Sequence, residues 1–313
     1  MKRMLAAAAL AAALPLFAID LADSVAPGDP LVGTLDGESE RSLLLAVVEL
    51  REREGDRVVA ASRLFRVRGL RYGFVLGVPA GTPPGSYVVR AAGEEAPILV
   101  VPRQFRREQI RLDGLLSELM KSDPLKDAEN AQLERLLEGF NVEAFWHTGS
   151  FVAPVAGSRR TSLYGDVREY LLVDGNVAVG VHRGLDLALA AGTPVVAAGA
   201  GRVVMARERI ISGNSVVIEH LPGVYSLYFH LSEMAVAVGD GVKAGDRIGS
   251  VGSTGLATGP HLHWEVRVSS VAVDPESMLD GAVAAAWGAP AGQVDRTRLA
   301  AIMAASAASE EGR

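Results

Sequence analysis

Short apolar segments separated by turn-forming residues dominate the chain from residue 19 to residue 102. Turns such as the Pro-Ala-Gly-Thr-Pro-Pro-Gly stretch separate five apolar stretches, at 42–49, 57–67, 74–78, 86–90 and 96–101. Strand-length segments with turn signals at this spacing predict a small β-sandwich with an immunoglobulin-like pattern.

A helical period replaces this pattern between residues 103 and 147, where we predict a helical linker. Asp123 can cap a helix that begins at Pro124 and ends before Gly139, because these residue types are typical of helix ends. An earlier helical stripe is formed by Ile110, Leu112, Leu115, Leu116, Leu119 and Met120.

Strand-like alternation returns, with Gly-rich turns, after residue 148. We therefore predict a mainly β fold. It would comprise an N-terminal β-sandwich-like domain at 19–102, the helical linker at 103–147, and a compact antiparallel β domain at 148–280. The Ala-rich tail at 281–313 fits either a helix or a loose segment.

The first 18 residues have the pattern of a secretory signal. Lys2 and Arg3 precede an apolar run from Met4 to Ala18, which is shorter than the roughly 20 residues of a membrane-spanning helix. We predict cleavage near Ala18, and hence a periplasmic or extracellular protein of the cell envelope without stable membrane insertion. Leu16 is larger than the residue usual at that position, so an uncleaved anchor is the alternative.

Composition narrows the chemistry that is available. The 313 residues include no cysteine, so any metal must be held by His, Asp or Glu rather than by a thiolate. The net charge of -6, without a basic stripe, argues against binding to nucleic acid or to anionic lipid. The oligomeric state stays open.

Alternation between residues 261 and 268 places candidate chemistry on one face of a strand. His261, His263, Glu265 and Arg267 share this face. Two histidines on one strand face can serve a single site, since one can bind a metal while the other handles protons. The opposite, core-facing side would carry Leu262, Trp264, Val266 and Val268.

Other candidate residues show the same parity. His230 would share a polar strand face with Tyr228, opposite Phe229. His182 and Asp186 also share parity, but about 13 Å of extended chain would separate them. Both can reach one ion if the chain bends at Gly184.

Two histidines and one carboxylate would leave a coordination position open for water, as in catalytic zinc sites. The remaining histidines, His147 in the connector and His220 before a Leu-Pro-Gly turn, are interpreted as surface or turn residues.

At these positions the chain resembles the lysostaphin/LytM family of zinc endopeptidases, which act on peptidoglycan and its peptide cross-links. The resemblance covers about residues 160–275. It runs in order through Val181-His-Arg-Gly-Leu-Asp186, Gly192-Thr-Pro-Val195, Ser226-Leu-Tyr-Phe-His-Leu231, Gly252-Ser-Thr-Gly255 and Gly259-Pro-His-Leu-His-Trp-Glu265.

The resemblance implies one zinc ion per chain, held by His182, Asp186 and His263. It implies that His261 is the general base or proton shuttle, and that His230 helps to hold the water and stabilise the developing oxyanion. The expected activity is hydrolysis of peptide cross-links or stem peptides, and the expected partners are therefore peptidoglycan peptides.

Two other interpretations stay open at the level of sequence. Some relatives keep the fold, lack metal ligands and activate separate wall amidases, so a non-catalytic envelope regulator is the main alternative. A structural envelope module that works through its N-terminal β domain is another. Zinc content and cleavage of purified cell wall distinguish the regulator from an enzyme. Deletion of residues 20–102, followed by assays of both binding and hydrolysis, tests the structural module.

Overall fold

The computed structural model describes residues 19–37, 43–144, 147 and 149–279, and this part of the chain is mainly β, as predicted. The predicted signal at 1–18 and the Ala-rich tail at 281–313 lie outside the described residues. Within the described ranges, neither helix has the length and apolar character needed to cross a membrane.

The N-terminal region is built from nine strands in two sheets. The strands are β1 (Asp20–Leu21), β2 (Ser24–Val25), β3 (Pro30–Asp36), β4 (Val47–Glu52), β5 (Val58–Arg63), β6 (Phe65–Arg68), β7 (Arg71–Gly77), β8 (Gly85–Ala91) and β9 (Glu94–Val100). The sheet orders are β1-β3-β7-β6 and β2-β9-β8-β4-β5. Leu31 and Phe74 from one sheet and Leu50 and Val89 from the other share one buried core.

The connecting region contains a strand and two helices. They are β10 (Arg107–Arg111), α1 (Gly114–Met120) and α2 (Pro124–Leu137). Helix α2 begins as predicted, because the side chain of Asp123 accepts a hydrogen bond from the Leu125 backbone N–H at 2.8 Å.

The helical interpretation of the segment around Ile110 was wrong. Residues 107–111 alternate between exposed and half-buried positions and pair in parallel with residues 167–171. Ile110 and Leu112 are two residues apart, a spacing that suits a strand as well as a helix. Pairing with the distant segment 167–171 makes the segment a strand. Leu115 is 74% exposed, so it does not belong to a packed helical stripe.

The C-terminal region holds the remaining strands and a short 3₁₀ helix at Pro275–Met278. The strands are β11 (Arg159–Ser162), β12 (Val167–Leu171), β13 (Val177–Val181), β14 (Leu185–Ala188), β15 (Pro194–Val196), β16 (Gly201–Arg209), β17 (Gly213–Leu221), β18 (Val224–Met234), β19 (Gly241–Val242), β20 (Arg247–Val251), β21 (His261–Val268) and β22 (Val271–Val273).

The large C-terminal sheet has the order β11-β14-β21-β18-β17-β16-β19, with β15, β20 and β22 paired off this path. Strands β10, β12 and β13 form a separate three-stranded sheet. One face of the large sheet buries the predicted set of Leu262, Trp264, Val266 and Val268 in the main core. The alternation within β21 is therefore confirmed.

Helix α2 packs across the other face of the large sheet. Leu133 and Leu137 contact a second apolar cluster that includes Leu227 and Phe229. Phe229 pairs directly with His263 of β21, so the histidine face of β21 lies beside the helix. This packing places α2 at the edge of the candidate site.

Candidate metal centre

Three of the sequence-predicted residues meet at one point on the large sheet. Nε2 of His182 lies 3.1 Å from Oδ1 of Asp186 and 3.0 Å from Nδ1 of His263, while Nδ1 of His263 lies 2.7 Å from Oδ1 of Asp186. All three residues are buried. These ligand atoms are close enough to one another to share a single ion.

Strand pairing and one glycine bring these residues together. Asp186 of β14 stands directly opposite His263 of β21. The chain leaves β13 at Val181 and enters β14 at Leu185, so His182 lies on the predicted bend. A Cβ atom on Gly184 would lie 2.3 Å from the Trp264 carbonyl oxygen, so only glycine allows this close approach to β21.

Outer hydrogen bonds fix which ring nitrogens face the centre. Nδ1–H of His182 donates to the Leu163 carbonyl at 2.8 Å, and Nε2–H of His263 donates to Oε1 of Glu265 at 2.9 Å. In neutral imidazoles, the lone pairs of His182 Nε2 and His263 Nδ1 then point at Oδ1 of Asp186. With both imidazoles neutral, as metal binding requires, three electron-pair donors converge, and this donor set fits a divalent cation.

The two carboxylates at the centre outweigh burial at His263 but not at His182. Burial disfavours ionisation of Asp186, but hydrogen bonds from the two histidines hold its pKa well below the usual range. Burial alone would lower the pKa of His263, yet Asp186 and Glu265 outweigh it and raise that pKa to about 9. Burial lowers the pKa of His182. The site therefore stabilises positive charge, whether as protons or as a metal ion.

The two histidines predicted to act beside the metal lie next to the converging ligand atoms. Nε2 of His261 lies 3.7 Å from Oδ1 of Asp186, and Nδ1–H of His261 donates to the Gly259 carbonyl at 2.8 Å. The ring of His230 lies 4.8 Å from that of His261. Nδ1–H of His230 donates to the Thr254 carbonyl at 2.8 Å, and burial lowers the pKa of His230 to about 3.

His230 reaches the site by a route that simple alternation does not predict. Tyr228 faces the main core, and Phe229 stacks on His263 at 5.6 Å on the site face. His230 follows with a left-handed backbone, φ +61°, beside an irregularity in the pairing of β18. The expectation that His230 shares a face with Tyr228 was therefore wrong, because the bulge turns two successive side chains toward the site.

Sequence reasoning missed several residues that complete the site. Arg168 of β12 donates from Nη2 to Oδ2 of Asp186 and from Nε to Oε1 of Glu108 at 2.7 Å. Glu265 was placed on the correct face but given no role, although it orients His263. Arg168 and Glu108 lie on strands β12 and β10, and only the parallel pairing of these strands brings them together.

His147 and His220 are not surface residues. His220 is fully buried and hydrogen-bonded to the Ala200 carbonyl and the Ser226 hydroxyl, both at 2.7 Å. His147 packs edge-on against Phe151 at 5.0 Å and accepts a hydrogen bond from the Ala200 N–H. Burial lowers the pKa of both histidines, that of His220 to about 3. Both stabilise the core behind the sheet.

Two clefts meet at the candidate centre, and His230 and His263 line both of them. The His261 cleft has a volume of about 430 Å³ and is walled by β10 through Glu108 and Ile110. The Arg209 cleft has a volume of about 510 Å³ and is walled by α2 through residues 130, 133 and 134. The two clefts also share Arg168, Tyr170 and Leu256, so they adjoin at the candidate centre, and we call the pair the groove.

Known proteins resemble this chain in sequence and in fold. The sequence profile of peptidase family M23 matches residues 180–275. The chain is 45% identical over 140 residues to the DD-carboxypeptidase/endopeptidase Mpg of Neisseria meningitidis, which covers 45% of this chain and 29% of that protein. It is 44% identical over 142 residues to the peptidoglycan DD-endopeptidase ShyA of Vibrio cholerae, with 45% and 30% coverage.

The matched segment thus spans under a third of either relative. A crystal structure from Pseudomonas aeruginosa assigned to peptidase M23 superposes with a TM-score of 0.53 and 26% identity, over 82% of this chain and 95% of that one. From the ordered motifs, the converging ligand atoms and these matches, we conclude that the chain carries a domain of peptidase family M23, the lysostaphin/LytM family.

Proposed function

We propose that this chain is a secreted zinc metalloendopeptidase that hydrolyses stem peptides or peptide cross-links of bacterial peptidoglycan. The observation that carries the proposal is the convergence of three buried ligand atoms, of His182, Asp186 and His263, close enough to share one ion. Similarity to the DD-carboxypeptidase/endopeptidase Mpg and to the peptidoglycan DD-endopeptidase ShyA supports the substrate class.

The donor set favours one zinc ion per chain. Two imidazole nitrogens and one carboxylate oxygen suit zinc and leave a coordination position open, as in catalytic rather than structural zinc sites. Glu265 and the Leu163 carbonyl orient the two imidazoles, and such outer partners are the usual support of zinc-binding histidines. Arg168 binds the outer oxygen of Asp186 and leaves Oδ1 to face the centre.

A zinc ion in this position would supply an activated water and a polarised substrate carbonyl. The protein's own part is to move protons and hold the reactants. His261 donates from Nδ1 to Gly259, so its Nε2 lone pair faces the centre and can accept a proton from the attacking water. The same nitrogen can then return the proton to the leaving amine.

His230 has a more limited role than the resemblance implies. Its Nδ1–H is committed to the Thr254 carbonyl, and burial keeps the ring neutral, so Nε2 offers a lone pair rather than a proton. We therefore assign His230 to hold and orient the water. Tyr170, which lines both clefts, supplies a phenolic hydroxyl that can donate to charge developing on the carbonyl oxygen.

The groove suits an extended peptide. It runs from the His261 cleft to the Arg209 cleft and passes the candidate centre, so the residues on the two sides of a scissile bond would each occupy one cleft. The signal-like pattern at residues 1–18 supports a periplasmic or extracellular location, where peptidoglycan is accessible.

Incubation of purified peptidoglycan with the chain tests the proposal. Mass spectrometry should detect released muropeptides with cleaved peptide bonds. A chelator should stop their release, and added zinc should restore it. His261→Ala should keep zinc and lose most turnover, whereas His263→Ala should lose both. A chain that binds no zinc and releases no muropeptides would be the non-catalytic regulator instead.

A further inference from the structure

One buried arginine beside the candidate centre has no acidic partner. Arg209, the last residue of β16, is 5% exposed and lines the Arg209 cleft. Its Nη1 donates to the Ser212 hydroxyl at 3.0 Å and its Nη2 to Oδ1 of Asn130 at 2.9 Å. Both acceptors are neutral. No carboxylate oxygen of the described residues lies within 4.0 Å of this guanidinium group.

Arg209 also has donor capacity to spare. A guanidinium group has five N–H donors, of which the described contacts of Arg209 use two. Its Nε is buried and has no hydrogen-bond partner among the described residues. Buried charges in proteins are normally paired, because an unpaired charge loses its hydration without compensation. Burial accordingly lowers the pKa of Arg209.

The neighbouring buried arginines are neutralised within the fold. Arg267 donates from Nε to Oε2 of Glu265 at 2.7 Å, and Arg168 is paired with both Glu108 and Asp186. Arg168 and Arg267 therefore each have a carboxylate within ion-pair distance, whereas Glu129, Glu134 and Glu265 act on Arg209 only from beyond 4.0 Å.

Arginines outnumber carboxylates in the lining of the Arg209 cleft, and of these arginines Arg168 is neutralised by Glu108 and Asp186 of the adjoining cleft. Four arginines line the Arg209 cleft, residues 168, 183, 209 and 267, against two carboxylates, Glu134 and Glu265. Both carboxylates are engaged, Glu265 with His263 and Arg267, and Glu134 with Arg183 at 3.5 Å and Arg267 at 3.9 Å. An anionic ligand group would find its complement here.

Ser212 links Arg209 to His230 at the candidate centre. The hydroxyl of Ser212 holds the guanidinium group, and the carbonyl of the same residue accepts the His230 backbone N–H at 2.8 Å. A group bound by Arg209 would thus be held by the turn that also fixes His230.

We propose that Arg209 forms a subsite for a free carboxylate of the peptide substrate, on the residue that occupies the Arg209 cleft. This inference rests on the proposed peptidase function and narrows its substrate class to peptides that carry a carboxylate beside the scissile bond. Arginine suits the role, since its planar group binds carboxylates through two parallel hydrogen bonds.

The test compares two preparations of one soluble cross-linked muropeptide, with free carboxylates or with the carboxylates converted to amides. We expect the zinc-loaded wild-type chain to prefer the acid form in kcat/KM by about tenfold or more, as for a hydrogen bond to a charged group. Arg209→Gln should bring this ratio close to one, and Arg209→Lys should keep part of it.

Arg202→Gln is the control, because Arg202 is an exposed residue of the same strand, β16, and does not line the cleft. This variant should keep the wild-type ratio. Thermal unfolding and zinc content show whether each variant is folded. If Arg209→Gln does not fold, the acid-to-amide ratios of kcat/KM for Arg209→Lys and for the wild type still test the subsite.

A wild-type ratio near one, or equal loss on both peptides in Arg209→Gln, would overturn the subsite and leave the peptidase function intact. If the wild-type chain cleaves neither peptide nor purified wall, the proposed function fails and the subsite fails with it.

Discussion

Replacement of Glu265 by glutamine tests whether the buried carboxylate behind His263 supports metal binding. Glu265 is 5% exposed and accepts two hydrogen bonds, from Nε2 of His263 at 2.9 Å and from Nε of Arg267 at 2.7 Å. A glutamine can accept only one of them, since its NH₂ group would face the other donor. The variant must therefore release either the imidazole or the guanidinium group.

The expected loss follows from this geometry. Outer partners of zinc-binding histidines typically contribute 10–100-fold in metal affinity, which corresponds to about 1.4–2.7 kcal/mol. Stability should fall as well, because breaking a buried charge pair costs roughly 3–5 kcal/mol and glutamine, which keeps one acceptor, should lose less. Zinc should dissociate from Glu265→Gln at a chelator concentration that leaves the wild type loaded.

Competition with a chromophoric chelator at neutral pH measures the affinity, and urea unfolding measures the stability. Glu134→Gln is the control, since Glu134 approaches Arg267 only at 3.9 Å and makes no hydrogen bond to His263. Its zinc affinity should stay within about twofold of wild type, as expected for a partly exposed ion pair. Equal zinc affinities in Glu265→Gln and the wild type would refute the reasoning.

Three further predictions concern the bend, the core and the Asp186 carboxylate. Gly184→Ala should lower zinc occupancy and destabilise the fold by about 1–3 kcal/mol, because its Cβ would collide with the Trp264 carbonyl. Gly241→Ala is the control for both measurements, because its Cβ would meet nothing within 4 Å. His220 is held neutral by burial, with a pKa of about 3 against about 6.5 in the unfolded chain. The part of the free energy of unfolding that depends on neutral His220 is therefore complete above pH 6.5 and declines as the pH falls toward 3. The loss of unfolding free energy between pH 7 and pH 5 should consequently be about 2 kcal/mol smaller in His220→Gln than in the wild type. Arg168→Gln should weaken zinc binding without abolishing it, because Asp186 keeps its ligand oxygen but loses a buried charge partner; unaltered affinity in the chelator titration would count against this role.

Local patterns in the sequence were sufficient for much of the site. Alternation along residues 261–268 assigned both faces of β21, because side-chain direction in a strand depends only on position parity. The bend at Gly184 was predicted from the length of extended chain between His182 and Asp186, which is too long for both side chains to reach one ion. Its cause, the close approach of β21, depends on a distant strand and became visible only in the structure.

Features that depend on pairing between distant strands were not predictable in this way. The left-handed backbone of His230 lies where the pairing of β18 with its neighbouring strands is irregular, and no local residue pattern predicts it. Arg168 and Glu108 meet because β10 pairs in parallel with β12, across 60 positions of sequence. His220 precedes a turn in sequence, yet its strand lies in the interior of a wide sheet with both faces covered.

Anomalous X-ray diffraction at the zinc absorption edge, from crystals of the zinc-loaded chain, tests the central claim most directly. We expect one strong peak per chain, about 2.0–2.2 Å from Nε2 of His182, Oδ1 of Asp186 and Nδ1 of His263, with a coordination position open toward His261. A crystal with no peak between these three atoms, or with its zinc bound elsewhere on the chain, would contradict the account.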